Sequence, residues 1–126
     1  MRKNEVYQCS PGVTLEVLGD STCTDLSCCG KPMELLQPKA PAQEGKEKHV
    51  PVVSEGPKGA KVTVGSVPHP MEPDHYIQWI EIINGDYVNR KYLAPGQKPE
   101  AEFYVPLQSG LIVREYCNKH GLWETR

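Results

Sequence analysis

The chain has 126 residues, of which 38% are hydrophobic and 24% are charged, and its formal net charge is −2. A chain of this length can bury one main core plus a small appendage, but it is too short for two large cores. Lysine and arginine form no dense run, which argues against a nucleic-acid partner. No apolar run has the length of a signal peptide core or a membrane span, so we expect a soluble, cytoplasmic protein with no membrane partner.

The amino-terminal region carries four of the five cysteines. A β-prone run at residues 13–18 is followed by a polar loop at 19–25 and by Cys28-Cys29-Gly30. This segment, residues 1–36, is too short to be stable on an apolar core alone. Adjacent cysteines and an odd cysteine count favour metal binding in a reducing compartment over a disulfide framework.

A proline-rich stretch separates this segment from the rest of the chain. Residues 37–46 contain Pro38, Pro41 and Gly45 together with several charges, which is typical of a linker or exposed loop. We therefore predict three regions, at residues 1–36, 37–46 and 47–126.

Short β-prone segments separated by turn residues follow the linker. They lie at residues 61–64, 76–83, 87–93, 101–107 and 111–116. Asn84-Gly85 predicts a two-residue hairpin turn, because glycine and asparagine accept the positive φ such turns need. No segment has a convincing helical pattern. The pattern predicts an all-β fold, an immunoglobulin-like antiparallel β-sandwich.

The histidines and one cysteine of this region lie in settings that suit a metal site. His69 lies between two prolines that keep the backbone extended, and His75 precedes an apolar run. Cys117 and His120 are two residues apart after the last predicted strand, so both can turn toward one ion. With His49 they provide four imidazoles and one thiolate. Five such donors suit iron or copper with an exchangeable position better than a closed four-ligand zinc site.

The combined pattern resembles the superoxide reductase family, which includes desulfoferrodoxin and neelaredoxin. The matching segments are residues 47–52, 64–71, 75–81, 95–96 and 114–123. Together they cover nearly all of residues 44–126, and the joint pattern is far more specific than any one segment.

The resemblance implies a mononuclear non-haem iron held by four equatorial imidazoles and one axial thiolate. These ligands fall on His49, His69, His75, His120 and Cys117. The implied activity is one-electron reduction of superoxide to hydrogen peroxide at the open sixth position, with an external donor such as rubredoxin restoring Fe(II). The axial thiolate would donate electron density toward that position, as in thiolate-ligated haem.

Two charged residues before the first ligand also receive roles from the resemblance. Lys48 would supply positive potential that attracts the anionic substrate, and Glu47 would coordinate the oxidised iron after product leaves. The alternative is that Glu47 and Lys48 are two solvated surface charges without a role at the iron. The tryptophans at 79 and 123 are assigned to packing.

The amino-terminal segment resembles the desulforedoxin module, which binds a second iron through four cysteines. Ser10-Pro11-Gly12 follows Cys9, so one cysteine of the family's CxxC pattern is missing. Cys23 could replace it and form an Fe(Cys)4 site with Cys9, Cys28 and Cys29. The alternative is a module without metal that holds a disulfide or free thiols.

Two other classes of function stay open at this stage. A blue-copper electron carrier also places a cysteine and a histidine after a late strand, but it normally uses two histidines and often a methionine, and no methionine follows His120. A zinc-binding structural module would leave one of the five donors unused. The resemblance implies a homo-oligomer, a dimer or tetramer, and we expect the small amino-terminal segment to need a partner surface.

Overall fold

The computed structural model describes residues 1–9 and 12–126 and consists of β-strands with one short 3-10 turn at Pro41–Gln43. It has two compact units, Met1–Gln37 and Pro38–Arg126. The described part of the chain has no helix with the length and hydropathy to span a membrane. The predicted all-β class is confirmed.

Five short strands form the amino-terminal unit. They are β1 (Val6–Cys9), β2 (Val13–Glu16), β3 (Ser27–Cys28), β4 (Lys31–Pro32) and β5 (Glu34–Leu35). The order of one sheet is β2-β1-β5, while β3 and β4 form a separate hairpin. Its turn residues, Cys29 and Gly30, both have positive φ, 50° and 76°, as a type I′ turn requires. One buried hydrophobic cluster of this unit consists of Tyr7, Cys9 and Met33.

The remaining strands form two antiparallel sheets in the larger unit. They are β6 (Pro51–Gly56), β7 (Gly59–Val64), β8 (Ile77–Asn84), β9 (Tyr87–Tyr92), β10 (Glu100–Phe103), β11 (Ile112–Cys117) and β12 (Gly121–Thr125). One sheet has the order β10-β7-β6 and the other β12-β11-β8-β9. Strand β10 ends at Phe103, four residues earlier than the sequence predicted.

The main core lies between these two sheets. Strand β7 buries Ala60, Val62 and Val64, and β8 of the other sheet adds Ile80 and Ile82 to the same cluster. Alternate residues of a strand point to one face, so each strand presents an apolar row to the other sheet. Fully burying one such valine or isoleucine contributes about 1.5–3 kcal/mol. The predicted antiparallel sandwich is confirmed.

The hairpin between β8 and β9 turns one residue later than the sequence predicted. Asn84 pairs with Tyr87, so Gly85 and Asp86 are the central residues of the turn. Gly85 has a φ of 58°. A two-residue turn of type II′ needs a positive φ at its first central position only, and glycine supplies it there. Asn84 can therefore remain the last residue of the strand.

A buried ion cluster ties together three strands of the larger sheet. Glu81 on β8 has no exposed surface and accepts from Arg90 Nε on β9 at 2.8 Å and from Arg114 Nε on β11 at 2.6 Å. A carboxylate buried this deeply requires such charge-assisted partners. The cluster fixes β11, which ends at one of the predicted ligands.

Candidate metal centre

Three loops of the larger unit carry the predicted ligands to one end of the sandwich. Each loop begins or ends at a strand: the segment before β6, the β7–β8 connection, and the β11–β12 hairpin. The segment before β6 carries Glu47 and His49. The β7–β8 connection carries His69 and His75, and the β11–β12 hairpin carries Cys117 and His120. In the hairpin, Cys117 pairs with Gly121, whose φ of 82° closes a three-residue loop.

Four imidazole nitrogens surround one carboxylate oxygen. Glu47 Oε1 lies 2.6 Å from His69 Nε2, 2.8 Å from His75 Nε2, 3.0 Å from His49 Nε2 and 3.3 Å from His120 Nδ1. Together with the Cys117 sulfur, the candidate ligand atoms all lie within 4.8 Å of one another. One ion could therefore contact donors from all three loops.

Several of these atoms are buried without the hydrogen bonds that burial normally demands. Glu47 Oε1, His69 Nε2 and His75 Nε2 face one another at short range, yet none of them has a hydrogen-bond partner. Unpaired buried polar atoms are costly, and a cation among them would remove that cost. Imidazole nitrogens with one thiolate suit a transition metal such as iron. The residues therefore fit the iron that the sequence pattern implied.

Backbone carbonyls orient two of the histidine rings. His69 Nδ1 lies 2.7 Å from the Pro70 oxygen, and His49 Nδ1 lies 3.2 Å from the Glu47 oxygen. A carbonyl can only accept, so Nδ1 carries the hydrogen in both rings and each Nε2 presents its lone pair to the centre. Burial and the neighbouring His69 lower the pKa of His49 to about 4, which keeps its ring neutral.

Cys117 provides the buried side of the site. Its side chain has no exposed surface, and its sulfur lies 3.9 Å from His120 Nδ1. Burial raises the pKa of this thiol to about 11, against the backbone N–H groups of Lys119 and His120, which lower it. Binding a metal there requires the thiol to lose its proton, and these two N–H groups stabilise the sulfur charge.

Asn118 joins two of the ligand-bearing loops. Its Oδ1 accepts from the Tyr76 N–H at 2.9 Å, and its Nδ2 donates to the Asp74 oxygen at 2.9 Å. Its own N–H donates to the Tyr76 oxygen at 3.2 Å. These bonds hold the segment around His75 against the β11–β12 hairpin, so that His75 keeps its position relative to Cys117.

Glu47 and Lys48 differ in their surroundings. Burial raises the pKa of the Glu47 carboxyl, but the four imidazoles outweigh burial and the net shift is downward. Lys48 Nζ donates to the Gly45 oxygen at 3.1 Å and lies 3.8 Å from Glu44 Oε1. The other Glu44 oxygen accepts the N–H of His49 at 2.9 Å. Glu47 thus faces the candidate site, while Lys48 lies along the loop beside it.

Comparison with known proteins gives the family of the chain. A family model described as desulfoferrodoxin matches residues 41–126. The chain belongs to this family. A desulfoferrodoxin homolog of Methanothermobacter thermautotrophicus is 53% identical over 121 residues, which are 95% of this chain and 96% of that protein. A superoxide reductase of Thermococcus kodakarensis is 35% identical over 96 residues, 62% of this chain and 84% of that protein.

A solved structure supports the same family over the full length. The crystal structure of the superoxide reductase from Treponema pallidum superposes with a TM-score of 0.75 at 26% identity, covering 100% of both chains. The sequence resemblance to the desulfoferrodoxin and superoxide reductase family is therefore confirmed.

Two residues beside the site of this desulfoferrodoxin-family chain were not predicted to contact it: Trp123, which the sequence assigned to packing, and Lys39. Trp123 stacks on His49 with ring centroids 4.8 Å apart and an interplanar angle of 10°. Lys39 Nζ donates to the His120 oxygen at 2.8 Å. The position of Trp123 three residues after His120 could have indicated its contact with the site. Lys39 lies within the predicted linker, and no local signal marks it.

The cysteines of the amino-terminal unit are arranged differently from the desulforedoxin pattern. Cys9 and Cys28 form a disulfide, and Cys23 and Cys29 are free, exposed thiols. Ser10 and Pro11, which occupy the place of the missing family cysteine, lie outside the described residues. The second iron site at Cys9, Cys23, Cys28 and Cys29 stays a prediction.

Proposed function

We propose that this desulfoferrodoxin-family chain is a superoxide reductase, which reduces superoxide by one electron to hydrogen peroxide at one mononuclear iron. The observation that supports this proposal most is the convergence of four imidazole nitrogens and a buried thiol on one point. The names of relatives from Thermococcus kodakarensis and Treponema pallidum point to the same activity. An external donor such as rubredoxin would return the electron to the iron. We expect the chain to form a dimer or tetramer.

The donor set assigns the iron ligands. His49, His69 and His75 would bind through Nε2, His120 through Nδ1, and Cys117 through its sulfur. When bound, the iron supplies the electron that superoxide accepts. Neutral imidazoles add no charge to the site, and a single thiolate favours the higher oxidation state by donating electron density. The protein contributes by holding these donors in place before the metal arrives.

Access to the site is one-sided. The Cys117 side chain has no exposed surface, whereas the side chains of Glu47 and His120 are 30% and 44% exposed. A small anion would therefore approach from the side of Glu47, and the carboxylate must swing away to admit it. Glu47 follows Gly45 and Lys46 in an exposed loop, which gives this movement room. The thiol side stays closed to water.

Superoxide turnover by the iron-loaded protein tests this proposal. The reduced protein should consume superoxide stoichiometrically in pulse radiolysis, form hydrogen peroxide and release no oxygen, because a reductase accepts electrons from an outside donor. Metal analysis and the absorption spectrum of the same sample separate iron from colourless zinc and strongly coloured blue copper. A reduced iron protein that leaves superoxide unconsumed, or that releases oxygen from it, would contradict the proposal.

A further inference from the structure

Lys39 is held next to the candidate metal centre by its backbone. Its N–H donates to the Leu122 oxygen at 2.9 Å, and its oxygen accepts the Glu124 N–H at 3.0 Å. These two bonds form a short parallel bridge with Trp123 on the free edge of β12. The position of Lys39 is therefore fixed by the sheet and does not depend on the side chain alone.

The side chain of Lys39 continues from this anchor toward the site. Its ammonium donates to the oxygen of His120 at 2.8 Å and lies 5.3 Å from the centre of the Trp123 ring. Trp123 in turn stacks on His49. A cation over an indole face is favourable, and the hydrogen bond fixes its direction. One positive charge is thus held against one proposed iron ligand, His120, and against the indole that stacks on another, His49.

This charge borders the open side of the site. A cavity of about 330 Å³ opens to solvent there, and its lining includes Lys39, Lys46, Glu47, His49, His120 and Trp123. Lys48, by contrast, lies 3.8 Å from the carboxylate of Glu44. Across the described ranges, no carboxylate forms an ion pair with the Lys39 ammonium. Lys39 therefore presents a positive charge to the cavity through which an anion would reach Glu47.

We propose that Lys39 is a second cation at the entrance of the candidate iron site and guides small anions, superoxide among them, into it. This inference rests on the proposed function for the identity of the substrate. A fixed charge near an open site raises the local concentration of an oppositely charged ligand, and salt at about 0.1 M limits the range of this attraction to about 10 Å.

Three variants of the iron-loaded full chain test this role. Lys39→Met removes the charge but keeps an unbranched side chain over Trp123. Lys39→Arg keeps the charge. Lys91→Met makes the same substitution at an exposed residue of β9, the opposite edge of the sheet from β12. At low salt, Lys39→Met should lower the bimolecular rate with superoxide about threefold, and the wild-type rate should fall more steeply with added salt. Lys39→Arg and Lys91→Met should retain the wild-type rate.

The affinity of the ferric protein for azide provides a readout that does not need turnover. Azide is a small monovalent anion, and its binding can be followed by absorption. Lys39→Met should raise the azide dissociation constant about threefold at low salt, with the absorption spectrum before azide unchanged. Lys39→Arg should restore the affinity. Lys39→Met and Lys91→Met with equal azide affinity would overturn the inference, as would a Lys39→Arg variant as weak as Lys39→Met.

The two readouts also separate this inference from the proposed function. If the wild-type protein binds azide in a Lys39-dependent manner but leaves superoxide unconsumed, the proposed reductase activity is rejected and the role of Lys39 at the anion entrance stands. If the protein consumes superoxide equally well with and without Lys39, the proposed reductase activity stands and the role of Lys39 at the entrance is rejected.

Discussion

Glu47 places its carboxylate oxygen where the four histidine rings converge. We propose that this oxygen is a ligand in the ferric protein and that the five other donors would hold ferrous iron without it. We therefore expect Glu47→Ala to retain ferrous iron and to change the absorption spectrum of the ferric resting form. Glu44→Ala removes a carboxylate three residues earlier that accepts the His49 N–H, so it should disturb loop geometry without removing a ligand. An identical ferric spectrum in wild type and Glu47→Ala would remove Glu47 from the coordination sphere.

Lys48 should contribute to substrate attraction, but its neighbours reduce the contribution. Its ammonium lies 3.8 Å from Glu44, and this carboxylate offsets part of its field. We expect Lys48→Ala to slow the reaction with superoxide and to weaken the salt dependence of the rate, measured by pulse radiolysis at several ionic strengths. A bimolecular rate equal to wild type at low salt would exclude this role.

The sequence could predict which residues the structure brings together at the metal centre, because imidazole and thiolate donors are chemically specific and few. It could not predict Lys39 or the stacking of Trp123 on His49. Lys39 reaches the site through a parallel bridge between positions far apart in the chain, Lys39 and Trp123. Such a contact depends on the path of the preceding segment, which composition alone does not specify.

Gly65 couples the end of β7 to the loop that carries Lys48. Its φ is 83°, and a Cβ there would lie 2.5 Å from the Val67 oxygen and 2.6 Å from the Lys48 oxygen. Both backbone strain and direct overlap oppose a side chain at this position. We expect Gly65→Ala to lower the free energy of unfolding by about 2 kcal/mol or more, measured by urea denaturation.

Gly110 is a matched control for this substitution. Its φ is 86°, but nothing lies within 4 Å of an added Cβ. Gly110→Ala should therefore cost only the backbone strain, about 1 kcal/mol. Equal losses of stability in the two variants would show that Gly65 matters for its φ alone and not for its contact with the Lys48 loop.

At the level of strands, the sequence predicted the class and most of the larger unit but missed β6 and β12. Both are edge strands of their sheets, and each has only two or three large apolar residues, which do not alternate with polar ones. Edge strands bury one side only in part, so the alternation of apolar and polar residues along their sequence is weak. The β8–β9 turn shifted by one residue because Gly85 alone meets the positive φ requirement.

The two units raise the question of how many irons the whole chain binds. The sequence leaves open a second iron at the four amino-terminal cysteines or a module without metal, and the structure joins two of the four cysteines in a disulfide. Metal analysis of protein purified under reducing conditions should give two irons per chain if Cys23 completes the site, and Cys23→Ser should then retain one. One iron in the native protein would reject the second site. Lys91→Met provides a variant that leaves every cysteine in place.

The candidate metal centre takes its donors from chain positions as distant as His49 and His120. A bound ion would therefore close loops of the larger unit much as a covalent cross-link does, and its affinity would add to the free energy of unfolding. At a free metal concentration about 1,000 times the dissociation constant, this addition is about 4 kcal/mol. Removing the metal should lower the thermal midpoint of the larger unit and expose the His49 loop to proteases. The same ion that carries the chemistry would then also stabilise that end of the sandwich by cross-linking its loops.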